Sequence, residues 1–505
     1  MAERGLLLGL DAGNTVIKAV LFDRAGRQLA ASRRNGASLA SAPGHVERDM
    51  EELWSNATAV IRECLEKAGA QAEAVAAVGC AGHGNGLYLI DRGGRPLLAI
   101  QSLDMRAARL AEELRADGNG ARLHAICLQE PWPSQTPTLL AWVRRHAPEV
   151  YVQCGTAFFC KDFVNFRLTG RRCSDISDMS GAGFVRLPGG AYDTGLLEGY
   201  GLADAIDLLP GILGPTDTAG GVTAEAAAAT GLAEGTPVVA GLFDVVASAL
   251  GAGASAVGEA SIIAGTWNIN QVIAAQAIVD PSVFMVSSFA PDRFMAIESS
   301  ATSAANLEWY VRELVERGAH HEDSFGACNR RVAAVTPSAQ DPYFHPFLYG
   351  SREGVFNRAG FYGIAGWHCE GHLLRALFEG VAFEHRRHVD VLRRAGVRFD
   401  TATLSGGGAR SEVWPQMFAD VLGIPITVAA CAETGALGAA IAAGVGAGVF
   451  RDLPAAVQAM TRRHAAFTPD PAMTHHYSER YRTYRMLSEA MRPVWHQMAA
   501  AQAEI

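Results

Sequence analysis

Six short stretches hold residues whose types and spacing could serve phosphoryl transfer. In "LGLDAGNTVIKAVLFD", Leu8 to Asp23, the carboxylate of Asp11 stands between two apolar runs, ahead of Gly13, Asn14 and Thr15. A strand-turn-strand there would let backbone N–H groups approach an anion closely, with Asn14 and Thr15 adding side-chain donors. Asp11 could hold hydrated Mg²⁺, a hard cation that takes oxygen ligands. An ordinary β-hairpin turn accounts for the same residues. "AGTWNIN" repeats the pattern through Gly265 and Thr266, so two hairpins could grip a polyphosphate, or each could be a plain tight turn.

In "LSGGGARSEVWPQMFADVLG", Gly406, Gly407 and Gly408 follow a strand and open a helix, with Ser411 as N-cap and Pro415 in the first turn. A glycine loop at a helix N-terminus suits a nucleotide, because no side chain blocks it and the helix dipole favours negative charge. The stretch is neither a Walker A loop nor a G-x-G-x-x-G fingerprint. Asp244, in "AGLFDVVASALGAG", sits between an apolar strand and a helix of small residues. It is either a helix cap or the general base that accepts an alcohol proton during phosphoryl transfer. Finally, "GHGNGLYLID" and "SLDMRA" carry His83, Gly84 and Asn85, then Asp104 and Arg106. Such short donors and acceptors suit a polyol in a polar cleft, though a loop histidine with no ligand is equally admissible.

The elements that must position these residues alternate between strand and helix, which predicts α/β layers. "LLLGLD", "IKAVLFD" and "QLAASRRNG" read as three strands. The next segment places Met50, Leu53, Trp54, Ala57, Ile61, Cys64 and Leu65 on one helical stripe. Asp49 caps it, Glu52 completes a capping box, and Gly69 ends it. "AVAAVGCAG" is the following strand. A second start, "TPVVAGLFDVVASALGAG" and "EASIIAGTWNINQVIAA", echoes the opening hairpin, and the small-residue stretch Gly251 to Glu259 marks a domain boundary. "GALGAAIAAGVGAGVF" reads as a tightly packed interior helix, too short for a membrane span. The last thirty or so residues read as a long helix that Pro493 is expected to kink.

A chain of 505 residues exceeds one core, so two domains are expected. With 49% apolar and 19% charged residues and a net charge of −9, it lacks the positive footprint that nucleic-acid binding needs. Nine scattered cysteines without a CxxC pair read as reduced core residues of a cytoplasmic protein. The apolar run before Asp11 is too short for a signal peptide, and no membrane association is expected.

Taken in order, these stretches resemble the FGGY carbohydrate kinases, ATP-dependent sugar kinases with the actin-like ATPase fold. The likeness covers nearly the whole chain. "GLDAGNTVIKAVLFD" and "AGTWNI" resemble the two phosphate motifs, and "GHGNGLYLID" with "SLDMRA" the sugar loops. "RLTG" is a family landmark, and "GLFDVVASALGAG" resembles the segment that carries the catalytic base. "FLYGSREG", "GFYGI", "LFEGVAFEH", "SGGGARSEVWPQMFADVLG" and "ETGALGAA" resemble the nucleotide block. Within the family the L-xylulose kinases are most similar, sharing "GLFDVV", "GTW", "SSATSAANLEWY" and "FLYGS". Against the D-xylulose kinase pattern, His83 and Asn85 replace Gln and His, and Ser102 and Leu103 replace Trp and Asn. Leu139 stands where that pattern has a lysine.

The resemblance implies two actin-like (ribonuclease H-like) α/β domains with a cleft between them: residues 1–252 with the sugar loops and first phosphate motif, residues 253–505 with the nucleotide site and a C-terminal helix. It implies an ATP-dependent kinase that phosphorylates a small ketose, xylulose by preference, to xylulose 5-phosphate. Asp244 would be the base, and Asp11 would hold Mg²⁺ through water. Gly13, Asn14, Thr15, Gly265 and Thr266 would meet phosphates, with Gly406, Gly407, Gly408 and Ser411 along the adenosine. His83, Gly84, Asn85, Asp104 and Arg106, with Asp244, would bind the sugar. Partners are then the sugar and ATP, and a homodimer is admitted because many relatives form one. The alternatives are a kinase for erythritol, ribulose or glycerol, or an actin-like ATPase switch with no sugar substrate.

Overall fold

The computed structural model describes residues 5–317, 323–354 and 356–503. The chain forms two compact units. The first holds the chain up to Val257, with Ile273–Ala296 and Glu433–Arg462; the second holds Gly258–Val272, Ile297–Ala432 and the residues from Arg463.

In the first unit, β1 (Leu6–Ala12), β2 (Val16–Phe22) and β3 (Gln28–Asn35) form the expected antiparallel meander. On its other side β1 pairs in parallel with β4 (Val75–Gly82). A central strand covered on both faces needs no polar alternation, which explains the unbroken apolar run at Leu7, Leu8 and Leu10. The sheet order is Thr218–Gly221, Pro237–Val239, β4, β1, β2, β3, and Leu242–Phe243 also lies along β4.

The helix α1 (Met50–Ala68) buries the seven stripe residues and Val60. Asp49 caps it by accepting from the N–H groups of Glu51 and Glu52, and Gly69 ends it in the left-handed conformation. The reciprocal arm of the capping box is not made. Glu52 instead accepts from the Ala37 N–H at 3.2 Å and ties down the chain after β3.

The glycine- and alanine-rich segment forms the helix Thr434–Gly446, buried over most of its length in the first unit. Close approach explains its composition: a Cβ on Gly438 would lie 1.9 Å from the Ala247 carbonyl oxygen. Among the described residues no helix is long and apolar enough to cross a membrane.

The second unit repeats the opening arrangement. Ala260–Ala264 and Asn268–Ala274 make an antiparallel hairpin, and the first of these strands pairs in parallel with Ala402–Ser405. Ile426–Ala429 and Arg463–Phe467 extend the sheet. The helix Glu370–Arg394 carries Glu379, which accepts at 2.8 Å from Arg480 of the final helix Pro471–Ala503. Pro493 lies inside that helix. All nine cysteines are free, and seven of them are buried; Cys369 is exposed and Cys431 half-buried.

Candidate active site

Three parallel strands of the first unit end at one level. Across β4 the register runs Asp11–Ala81–Leu242 and Ala12–Gly82–Phe243. Asp11 therefore lies one residue before the end of β1, His83 just beyond β4, and Asp244 just beyond Phe243. Residues far apart in sequence share the carboxyl edge of one sheet, where α/β folds place their ligands.

Asp244 is the first residue of the helix Asp244–Gly251, and Phe243 occupies the cap position. Its carboxyl is half-buried and crowded by protein, so loss of hydration raises its pKa. The charge of Asp11 raises it further and the Val245 N–H opposes the rise, leaving it at about 8. Asp11 is itself pushed up to about 6, chiefly by burial, with Lys18 opposing and Glu433 adding to the rise. Lys18, its cross-strand neighbour, donates to Glu433 at 2.7 Å, so Asp11 has only a shared counter-charge. At neutral pH Asp11 is mostly ionised and Asp244 mostly protonated, and the two carboxyls at one edge form an oxygen-rich recess that suits a hydrated divalent cation.

The hairpin turn closes through the Gly13 N–H, which donates to the Val16 carbonyl at 3.0 Å. Thr15 is exposed at the tip. The Asn14 amide donates to the Ser102 hydroxyl at 2.9 Å, joining the turn to the stretch that leads to Asp104.

His83 is buried, and its Nε2 lies 2.9 Å from the Tyr88 hydroxyl while Nδ1 has no partner. Burial and the charge of Arg48 lower its pKa to about 3, so the imidazole is neutral at physiological pH. Gly84 must lack a side chain, because a Cβ would meet the Phe243 ring at 2.4 Å. Asn85 adopts a left-handed φ of 59°, is 2% exposed, and leaves Oδ1 without a partner. Orphaned buried acceptors are costly unless a ligand satisfies them. Asp104 and Arg106 satisfy each other instead. Arg106 Nε donates to both Asp104 carboxylate oxygens, at 2.9 and 3.0 Å, and Val46 N–H adds a third contact at 2.6 Å.

In the second unit, Gly265 and Thr266 form the turn between Ala264 and Asn268, and Thr266 is exposed. The Gly265 carbonyl accepts from the Ala304 N–H at 2.9 Å. Gly406, at φ 86°, backs directly onto Ala264, which sets the glycine loop beside this turn. Gly407 opens a short 3₁₀ turn, and the following helix starts only at Trp414. Ser411 still caps it from outside, accepting from the Trp414 N–H at 3.0 Å. Gly407, Gly408 and Ser411 border a cavity of about 330 Å³ walled by Leu307, Phe325 and Trp414, with Asn329 as a polar group. Gly406 and Ser411 also border a second hollow of about 460 Å³ lined by Arg410, Val428 and His464.

One supporting cluster is not evident from the sequence. Lys161 is fully buried among Asp162, Asp175 and Asp178, with its ammonium 2.7 Å from Asp175 and 3.0 Å from Asp178. These carboxylates converge closely enough to hold a metal, but Lys161 supplies the cation. Ser177 donates to Asp175 and accepts from the Phe243 N–H at 2.9 Å, so the cluster braces the residue before Asp244. The four ionisable side chains are spread along Lys161 to Asp178 with no motif spacing, and only the fold brings them together.

Each unit carries a hairpin on a mixed sheet of the same arrangement, and the chain has the two-domain α/β fold of the sugar kinases. The model of the FGGY family of carbohydrate kinases, N-terminal domain, matches residues 6–251, and that of the C-terminal domain matches residues 260–447. The chain belongs to this family and is an ATP-dependent sugar kinase. It is 37% identical over 490 residues to the L-xylulose/3-keto-L-gulonate kinase of Escherichia coli (strain K12), covering 96% of this chain and 97% of that protein. It is 34% identical to the probable L-xylulose kinase of Pasteurella multocida (strain Pm70), covering 96% of this chain and 99% of that one. Among solved structures it is similar to xylulose kinase from Rhodospirillum rubrum, with a TM-score of 0.88, 30% identity, and coverage of 97% of this chain and 100% of that one.

Proposed function

We propose that the protein transfers the γ-phosphoryl group of Mg-ATP to a hydroxyl of xylulose, L-xylulose first and D-xylulose second, giving xylulose 5-phosphate in the cytoplasm. The observation that carries the substrate choice is the near full-length similarity to L-xylulose kinases.

Asp244 accepts the hydroxyl proton as the oxygen attacks phosphorus. A pKa of about 8 in the free protein leaves it mostly protonated at neutral pH, so the base must be released when substrates bind. Asp11 would hold magnesium through water, and its negative, half-buried carboxyl fits that role. Bound there, the ion supplies positive charge that stabilises the transferred phosphoryl group and lowers the pKa of Asp244. The hydroxyls of Thr15 and Thr266, with the backbone N–H groups of Asn14 and Thr15, donate to phosphate oxygens, while Gly13 and Gly265 leave room for the phosphates to approach. The apolar cavity beside Gly407 and Gly408 takes the adenine, with Gly406 and Ser411 along the ribose.

His83 and Asn85 read the sugar, because each keeps a buried polar atom without a partner. Asp104 and Arg106 border this loop as a self-satisfied pair and shape it for the sugar. The chain is divided in labour accordingly, residues 1–252 serving sugar and first phosphate site, residues 253–505 the nucleotide.

ADP release from Mg-ATP, measured against both xyluloses, both ribuloses, glycerol, erythritol and several hexoses, tests this. L-Xylulose should give the largest kcat/KM. A preference for ribulose or erythritol would overturn the sugar, and ATP hydrolysis indifferent to every sugar would overturn the substrate class.

A further inference from the structure

The first hairpin turn is gripped from behind at three successive carbonyls. Arg48 Nη1 donates to the Gly13 carbonyl at 2.9 Å, Gln101 Nε2 to that of Asn14 at 2.6 Å, and the Gly36 N–H to that of Thr15 at 2.8 Å. The Ser38 hydroxyl donates to Gln101 Oε1 at 2.7 Å, which fixes the amide with its nitrogen toward Asn14. Each carbonyl shares a peptide group with the next residue's N–H. The grips on Gly13 and Asn14 therefore act on the N–H groups of Asn14 and Thr15, and neither N–H has a partner among the described residues. A carbonyl that accepts a hydrogen bond makes its own amide N–H a stronger donor, more so when the bond is charge-assisted.

The turn has no free cation of its own, since Lys18 is paired with Glu433. Arg48 lies directly behind it. The side chain is 3% exposed, its Nε and Nη2 make no hydrogen bond, and no carboxylate pairs with it among the described residues. Its field reaches His83, whose protonation it opposes. A buried guanidinium without a counter-ion is expensive to keep, and its retention calls for an anion nearby in the working state.

The geometry points to Arg48 as the fixed cation of the first phosphate site, a positioning residue that acts with Gln101 through the Gly13 and Asn14 carbonyls to polarise the two N–H groups that receive a phosphate oxygen. This rests on the reading of the hairpin as a phosphate site. No residue of the turn itself needs a positive charge, because the charge is delivered through the peptide groups.

The test compares Arg48→Met, Arg48→Lys, Gln101→Leu and Thr15→Ala in the full chain, by calorimetric titration with Mg-ATP and, as a phosphate-free probe, with adenosine. Arg48→Met should weaken Mg-ATP by tenfold or more and leave adenosine unchanged, with Arg48→Lys recovering part of the loss and Gln101→Leu losing less. Where Arg48→Met does not fold, Arg48→Lys and Gln101→Leu carry the test, both weakening Mg-ATP selectively. Wild-type Mg-ATP binding in the folded variants, while Thr15→Ala weakens it, would overturn the role of Arg48 and leave the phosphate site standing. Equal losses for Mg-ATP and adenosine would also overturn it, by showing general disruption. Unchanged Mg-ATP binding in every folded variant, Thr15→Ala included, would instead remove the phosphate site, and the proposal with it.

Discussion

Replacing Asp244 by Asn should stabilise the ligand-free protein, and increasingly so as pH rises. The folded carboxyl has a pKa of about 8 against an ordinary 3.8. Between those values the folded state holds a proton that the unfolded state releases, so stability is lost as pH climbs from about 4 to about 8 and levels off above. Each pH unit in that window is worth about 1.4 kcal/mol for a fully buried group. Asp244 keeps part of its surface open to solvent, which relaxes the penalty, so a gain of ~2 kcal/mol at pH 8 is expected. Near pH 4 both chains carry an uncharged side chain and the gain should vanish. Scanning calorimetry of both proteins at pH 5, 6, 7 and 8, without ligands, reads the effect as a growing difference in Tm, a few degrees at pH 8. A difference that is constant across pH, or that shrinks toward pH 8, would refute the argument that burial and Asp11 hold this carboxyl protonated.

Two further outcomes follow from the site and its support. His83→Ala and Asn85→Ala should each lower kcat/KM for the sugar by about tenfold, the worth of one buried hydrogen bond, while the KM for ATP stays within twofold; sugar kinetics unchanged in both would displace the sugar loop. Lys161→Met strands three buried carboxylates and should destabilise the first unit by about 3–5 kcal/mol, seen as a fall in Tm or loss of soluble protein; a wild-type Tm would mean that those carboxyls protonate without cost.

Much of this was legible in the sequence because it is local. The β1–β2 hairpin, α1 with its Asp49 cap, and the second hairpin at Gly265 each announce themselves by period and turn chemistry within about twenty residues. Glycine-rich helix packing was also readable, since small residues at Thr434–Gly446 have few other uses. What was not legible depends on contacts between distant segments. Glu52 could be expected to complete a capping box, but the backbone of Ala37 competes for it. Asp104 and Arg106 looked like a sugar-binding pair by composition, and only the structure shows how fully they occupy each other. Arg48 carried no signal at all, lying in an acidic, ordinary-looking helix approach, because its role is defined by the carbonyl of Gly13. The long carboxyl edge that joins Asp11, His83 and Asp244 is likewise a property of parallel pairing through β4, which no spacing reveals.

In this enzyme Asp244 is proposed to be the base for a bound alcohol. Its most direct test is sugar phosphorylation by Asp244→Asn at saturating Mg-ATP and L-xylulose, with Mg-ATP affinity measured on the same sample. Turnover should fall by about 10²–10⁴-fold, the usual contribution of a general base, with nucleotide affinity within threefold of wild type. A variant that binds Mg-ATP normally and keeps most of its turnover would rule out Asp244 as the base.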